Sequence, residues 1–121
     1  MNPAVLRTLA YADIFDYPLT SAEINRWLIA PHPTRPLLKP APYYFLPGLE
    51  HLVSVRRSRR AASPKKLRLA RRVGDLLKFI PSIKLVAVTG ALAMHNSDQN
   101  DDIDLIIITS PHTLLLTRLF V

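Results

Sequence analysis

The fold is decided by Val86-Ala87-Val88-Thr89-Gly90-Ala91 and by Asp102-Ile103-Asp104-Leu105-Ile106-Ile107-Ile108, which follows it. The apolar run from Ile83 to Val88 predicts a short buried strand, and Gly90 predicts the turn at which a short helix begins. The second stretch predicts another strand that opens with two carboxylates separated by one apolar residue. Together with the helical patterns elsewhere in the chain, these two strands predict an α+β fold.

Asp102 and Asp104 form a candidate metal site. Side chains alternate between the two faces of a strand, so both carboxylates should lie on one side, with their Cα atoms about 6–7 Å apart. Two like charges in that position are most stable when a cation lies between them. Mg²⁺ prefers oxygen ligands and often binds one or two carboxylates together with substrate phosphates. Gly90 permits close backbone approach, and the helix after it directs N–H groups at an anion, which suggests nucleotide chemistry.

These residues resemble the signature of the polymerase-β-like nucleotidyltransferase superfamily: a Gly-Ser or Gly-Gly pair, a short helix and loop, then Asp-x-Asp on a strand. The segment from Leu9 to Thr20 resembles the N-terminal region that accompanies this domain in some small bacterial proteins. The resemblance implies that Gly90 and Ala91 border the triphosphate of an NTP, with ATP as the expected nucleotide. It also implies that Asp102 and Asp104 bind the metal and catalyse transfer of a nucleotidyl group to an acceptor that the sequence does not identify.

Two departures from the family pattern leave a second function open. Ala91 stands where the family has a serine whose hydroxyl helps to hold the triphosphate. The family's third carboxylate lies on a later strand, and this chain stops at Val121 before such a strand occurs. The expectation is therefore either a nucleotidyltransferase, inactive in this length, or a non-catalytic regulator that binds nucleic acid or protein.

A basic block occupies the middle of the chain. Nine Lys and Arg residues and no acidic residue lie between Arg56 and Arg72, in a protein whose net charge is +7. Such a block favours phosphate-bearing partners because binding releases their counterions. The alternative is an ordinary solvated helix face, and the sequence does not decide between the two. The predicted partners are thus a nucleotide and, at this block, a polyanion or nucleic acid.

The N-terminal part predicts a winged-helix-like module. Asn2-Pro3 should begin a helix that runs to about Ile14, and Thr20 with Glu23 forms a capping box for a second helix. Ile24 and Trp27 are expected on its buried face, with Trp27 as a core anchor. A proline-rich connector should follow, and Tyr43-Tyr44-Phe45-Leu46 should form a short strand before a turn at Pro47-Gly48. The prolines of this connector are Pro31, Pro33, Pro36, Pro40, Pro42 and Pro47.

The rest of the chain predicts three further helices. One should run from Leu49 to about Ala62, and a second should start anew at Ser63-Pro64. The domains expected are therefore residues 1–62, the helical module, and residues 63–121, a partial nucleotidyltransferase domain. Pro111 should lie in the first turn of a final helix whose apolar residues, 114–121, require burial. Either a homodimer or a missing C-terminal portion is expected to cover the surface from Leu114 to Val121.

Composition limits the protein classes that fit. The chain has 121 residues and no cysteine, so disulfides and thiolate metal sites are excluded. The absence of cysteine suits a cytoplasmic protein. No apolar run approaches the roughly 18–20 residues that a membrane span needs, so no membrane association is expected.

Overall fold

The computed structural model describes residues 2–30, 36 and 38–121. The chain divides into two units, Met1–Arg57 and Ser58–Val121. The described residues form five helices and one two-stranded antiparallel sheet, which confirms the expected α+β class. Within these residues, no helix combines the length and the apolar character needed to cross a membrane.

The first unit begins with two capped helices. In α1, Pro3–Asp13, the side chain of Asn2 accepts a hydrogen bond from the Ala4 N–H at 2.9 Å. In α2, Ser21–Trp27, Thr20 and Glu23 bond reciprocally: the Thr20 N–H donates to Glu23 Oε2 and the Glu23 N–H donates to Thr20 Oγ1. Both caps satisfy N–H groups that a helix start leaves without partners. The predicted N-cap and capping box are confirmed.

The core of the first unit is apolar. Its buried members are Val5, Leu9, Ala12, Tyr17, Leu19 and Ile24. A predicted strand at Tyr43-Tyr44-Phe45-Leu46 is wrong: only Tyr44 pairs, through a single antiparallel bridge to Leu19. The prediction of Trp27 as a core anchor is also wrong, because half of it is exposed and the Arg26 guanidinium lies 5.0 Å from its ring centroid. Ile24, fully buried, provides the anchor of α2 instead.

The proline-rich connector lies partly outside the described residues, which omit Pro31, His32 and Pro33. Residues 36 and 38–47 contain no helix, as their prolines predicted, and Pro47-Gly48 forms the expected turn. Gly48 has a φ of +86°, a conformation that glycine adopts at little cost.

The third helix, α3, is continuous where a break was predicted. It extends over Leu52–Leu77 and contains Pro64 in its interior. A proline there removes one backbone hydrogen bond, to the carbonyl of Arg60. The fully buried Ser63 hydroxyl donates to the Arg59 carbonyl at 2.7 Å, within the same turn. The helix persists because good helix formers flank the proline on both sides, so a single lost bond is outweighed.

The second unit contains the sheet. The first strand, β1, spans Ile83–Val88 as predicted; α4, Gly90–Ala93, follows it, and β2 spans Leu105–Thr109. The strands are antiparallel, with Val88 opposite Leu105 and Val86 opposite Ile107. The last helix, α5, covers Leu114–Phe120, so Pro111 lies in the turn before it and not in its first turn.

The two faces of the sheet differ in their surroundings. Val86 and Val88 are partly buried on the face of the sheet that lies towards α3. Gly74 belongs to α3, and a Cβ on it would lie 3.9 Å from Val86 Cγ1. The opposite face exposes Leu85, Ile106 and Ile108 by about half. We call these the inner and the outer face.

The final helix turns its leucines outward. Thr117, on the opposite side of the helix, is buried and lies 2.6 Å from Ser82 through their hydroxyl oxygens. The apolar surface for which a cover was predicted is thus exposed, and its burial by a homodimer or a C-terminal portion stays a prediction. The exposed side chains are Leu114, Leu115, Leu116, Leu119, Phe120 and Val121.

Candidate functional site

Asp104 lies directly against Gly90. Gly90 has a φ of +65°, and a Cβ placed on it would be 2.7 Å from Asp104 Oδ2. The Thr89 N–H donates to the Asp104 carbonyl at 3.0 Å, which continues the strand pairing one residue beyond β2. The glycine is therefore favoured for its backbone conformation, and the Asp104 carboxylate lies in the space that its missing Cβ leaves. The structure brings together two of the four predicted site residues here.

Asp102 and Asp104 precede β2 instead of opening it, because the strand begins at Leu105. Exposure nevertheless alternates residue by residue from 102 to 109, with Asp102 and Asp104 exposed and Ile103 and Leu105 partly buried. That alternation is the pattern of extended chain with a two-residue repeat. Both carboxylates therefore lie on the outer side, in line with Ile106 and Ile108.

Ala91 and the short helix offer less to an anion than the sequence predicted. The helix α4 has only four residues, and Thr89 makes no side-chain cap. A helix of one turn develops little of the macrodipole that would favour a phosphate. Ala91 is exposed, and its carbonyl accepts from the N–H of Asn96 at 2.9 Å. Ala91 thus stabilises the turn after α4.

The loop between α4 and the carboxylates is anchored on α3. The Lys66 ammonium donates to Ser97 Oγ at 2.9 Å, to the Asp101 carbonyl at 2.6 Å and to the Asp98 carbonyl. Arg59 also reaches this loop, through a 3.5 Å hydrogen bond to Asn96 Oδ1. Because the loop ends at Asp102, these contacts fix the point from which the carboxylate pair starts.

Sequence reasoning missed this anchor. Lys66 looked like one member of a uniform basic block, and its partners lie more than thirty residues away along the chain. The only local signal was the polar run after Met94, in which Ser97 proves to be fully buried. A small hydroxyl residue inside such a loop indicates that the loop packs on something.

The neighbouring acids are already engaged within the loop. Asp101 Oδ2 accepts the Asp98 N–H at 2.7 Å, and Asp98 Oδ1 accepts the Gln99 N–H at 2.6 Å. These bonds form a turn of the kind that Asp side chains commonly stabilise. Across the part of the chain that the structure describes, no three His, Asp or Glu residues converge as a metal-binding group. The candidate site therefore consists of two carboxylates, Asp102 and Asp104.

The basic block separates into two groups. Arg56 is buried, Arg57 lies 6.0 Å from the Tyr43 ring centroid, and Arg59 and Lys66 hold the loop described above. Five cations in the second unit remain exposed on α3, and at 3.6 residues per turn their positions lie on one broad side of the helix. These five are Arg60, Lys65, Arg68, Arg71 and Arg72.

Arg56 and Glu23 form a partly buried ion pair in the first unit. Arg56 Nη2 lies 2.7 Å from Glu23 Oε1, and Arg56 Nη1 lies 2.8 Å from Glu23 Oε2. The guanidinium is 4.1 Å from the Tyr17 ring centroid, and the Tyr17 hydroxyl donates to Glu23. Burial alone would raise the pKa of Glu23, but hydrogen bonds from Arg56 and Thr20 outweigh it and lower the pKa from 4.5 to about 2. This bidentate pair stabilises the module.

Comparisons with protein-family models, with curated proteins and with solved structures find no match for this chain.

Proposed function

We propose that this protein binds a Mg²⁺–nucleotide in a nucleotidyltransferase-type site formed by Asp102 and Asp104. The observation that carries the proposal is the contact between Gly90 and Asp104, where the absence of a Cβ leaves room for an exposed carboxylate. Asp102 lies two residues earlier on the same exposed side. The resemblance to nucleotidyltransferases rests on these same positions.

The donor set fits a hydrated Mg²⁺. This ion binds through one or two carboxylates and keeps several waters, so the two exposed acids supply enough protein ligands. When bound, it would neutralise phosphate charge and polarise a phosphoryl oxygen. Asp102 and Asp104 would bind and orient the metal-bound nucleotide, and Gly90 would admit it close to the backbone. Ala91 contributes no hydroxyl to that binding.

Nucleotidyl transfer to an unidentified acceptor is the reaction that we propose for this type of site. Alignment of an attacking and a leaving oxygen requires more acceptors than Asp102 and Asp104 provide. Asp98 and Asp101 accept backbone hydrogen bonds in their own turn. We therefore expect these 121 residues to bind nucleotide weakly and not to turn it over. The winged-helix-like character of the first unit and a cytoplasmic location belong to the same proposal.

The test is calorimetric titration of ATP with Mg²⁺, together with a labelled-nucleotide transfer assay. Wild type, Asp102→Asn/Asp104→Asn and the control Asp75→Asn should be compared, because Asp75 is an exposed acid elsewhere in the second unit. Weak binding that the double variant loses and the control keeps supports the proposal. Equal binding by all three proteins would contradict it. Robust transfer by the wild type would show that another acid completes the site.

A second candidate function is polyanion binding by the exposed side of α3. The supporting observation is that five cations of α3 in the second unit are exposed, besides Arg59 and Lys66, which hold the loop. Affinity for labelled DNA should fall linearly with salt on logarithmic axes, with a slope of roughly −0.9 for each phosphate neutralised. Arg60→Glu/Lys65→Glu/Arg72→Glu should abolish it. A salt-insensitive interaction would leave this side of α3 as a solvated helix face.

A further inference from the structure

The second unit contains a groove whose apolar floor neither candidate function uses, although Arg68 and Arg71 of the basic side of α3 lie on its rim. It has a volume of about 710 Å³ and lies between α3 and β1. Its apolar lining includes Leu67, Ala70, Ile83, Val86, Val88 and Leu105. We call it the α3–β1 groove.

The groove borders a core that is incomplete. Every residue of β1 and β2 is exposed or only partly buried. Among residues 58–121, Ala70 and Leu92 are the apolar side chains that are buried. A sheet normally buries one face against packed elements, and this inner face is only partly covered beside α3. The groove thus leaves room for a further element to pack on the inner face.

Its shape suits a helix. The α3 side of the groove extends from Pro64 to Lys78, which at 1.5 Å per residue is roughly 21 Å, or four helical turns. Gly74 lies in that wall, and its missing side chain lowers the ridge between α3 and Val86. A second helix would lie beside α3 at about 8–10 Å between axes, the usual packing distance.

The charges around the groove indicate which kind of partner it fits. Arg68, Arg71, Lys78 and Lys84 line it and are exposed, against one acid, Asp75. Asp75 pairs with Lys78 at 3.2 Å, and no ion pair engages Arg68, Arg71 or Lys84 among the described residues. Among the residues that the structure describes, none of those lining the groove is an aromatic on which a nucleic-acid base could stack. An apolar floor with a cationic rim complements an amphipathic helix whose polar side is acidic.

We propose that the α3–β1 groove binds an acidic amphipathic helix of a partner protein. The apolar stripe of that helix packs on Leu67, Val86 and Leu105, and its flanking carboxylates pair with Arg68, Arg71 and Lys84. This mode of recognition places anchors at helical spacing in an apolar groove. It is independent of nucleotide binding by Asp102 and Asp104.

The test uses two designed 15-residue fluorescent peptides with the same leucine stripe, one flanked by Glu and one by Lys. Anisotropy with the full chain should show the acidic peptide binding about tenfold more tightly, because the three rim cations attract its Glu residues and repel the Lys residues of the other peptide. Arg68→Glu/Arg71→Glu/Lys84→Glu should reverse that preference. The matched control Arg60→Glu/Lys65→Glu/Arg72→Glu makes the same charge change outside the groove lining and should retain it.

A separate variant tests the groove itself. Gly74→Leu places a bulky side chain between α3 and Val86 and should weaken the binding of both peptides at least tenfold. Circular dichroism of each variant checks that it is folded. Equal binding of the two peptides would overturn the acidic partner. The proposal would also be overturned if the chain bound an oligonucleotide but not the acidic peptide, and if Gly74→Leu abolished that oligonucleotide binding. Self-association that Gly74→Leu abolishes, again without peptide binding, would assign the groove to a second copy of this chain.

Discussion

A Cβ atom on Gly90 would lie 2.7 Å from Asp104 Oδ2, a separation that real Cβ atoms do not adopt. Gly90 also has a φ of +65°, which disfavours any other residue. The two requirements are independent, because one concerns the backbone and the other the space for a carboxylate. Gly48 shares only the first: its φ is +86°, and nothing lies within 4 Å of its Cβ position.

This pair of glycines gives a matched prediction. Gly48→Ala should lower the free energy of unfolding by about 1–2 kcal/mol, the cost of a left-handed backbone in an L-residue. Gly90→Ala has the same backbone cost and adds little to it, because the crowded atom is the free end of the exposed Asp104 side chain, but by turning that carboxylate aside it should weaken Mg²⁺–nucleotide binding. In an Asp104→Ala background, Gly90→Ala should cost no more than Gly48→Ala. Urea denaturation measures the three free energies of unfolding, and calorimetry measures nucleotide binding. Unchanged binding by Gly90→Ala would contradict the role proposed for this contact.

The second prediction concerns the anchor of the loop. Lys66→Met retains the length of the side chain but removes its hydrogen bonds to Ser97, Asp98 and Asp101. We expect a loss of roughly 1.5–3 kcal/mol, the contribution of hydrogen bonds to a charged group. The control Lys65→Met removes the adjacent exposed lysine and should stay within about 0.5 kcal/mol of wild type. Amide chemical shifts of residues 97–104 should change in the first variant only; unchanged shifts there would show that Lys66 does not hold the loop.

Local chemistry made much of the fold predictable. The apolar run between Pro81 and Gly90 predicted the first and the last residue of β1, and the Thr20–Glu23 pair predicted the start of α2. Each signal acts over a few residues, as strand alternation and helix capping do. The closeness of Gly90 to Asp104 was expected from the pattern of a glycine, a short helix and Asp-x-Asp, and the antiparallel pairing that produces it was not predicted.

What could not be predicted depends on long-range packing. Trp27 is apolar and at helical spacing, yet half of it is exposed, because Ile24 already fills the position against the core. Lys66 and Arg56 belong to one charge run, but their partners lie more than thirty residues away. Pro64 suggested a helix boundary because proline disfavours a helix interior. The turns on both sides of it stabilise α3 by more than the one lost hydrogen bond costs, and that balance cannot be predicted from residue preferences alone.

The third prediction follows from Pro64 inside α3. Pro64→Ala restores an N–H that can bond the Arg60 carbonyl and removes a poor helix former. The free energy of unfolding should therefore rise by up to about 3 kcal/mol. Pro47→Ala, in the turn before α3, should instead lower it by about 0.4–1 kcal/mol, because proline there restricts the unfolded chain. Thermal melts of both variants test the contrast, and a destabilised Pro64→Ala would mean that the proline is required for the packing of α3.

The last prediction is a pH dependence from the Glu23–Arg56 pair. The folded pKa of Glu23, about 2, lies below its ordinary 4.5, so the folded state holds fewer protons on this group than the unfolded state between those values. The resulting stabilisation is fully present above about pH 5 and declines as the pH falls towards 2. Below that range both states are protonated at Glu23, and the contribution is gone.

Glu23→Gln isolates this contribution. The variant leaves the Arg56 guanidinium, only 4% exposed, without its anion and should lose about 3 kcal/mol at pH 7. Because Gln cannot titrate, the difference from wild type should shrink as the pH is lowered from 5 to 2. The control Glu50→Gln changes an exposed glutamate and should follow the wild-type profile. Urea unfolding at pH 7, 5, 4 and 3 measures the three curves. A difference between wild type and Glu23→Gln that stays constant across this range would mean that the hydrogen bonds of Glu23, and not its charge, stabilise the first unit.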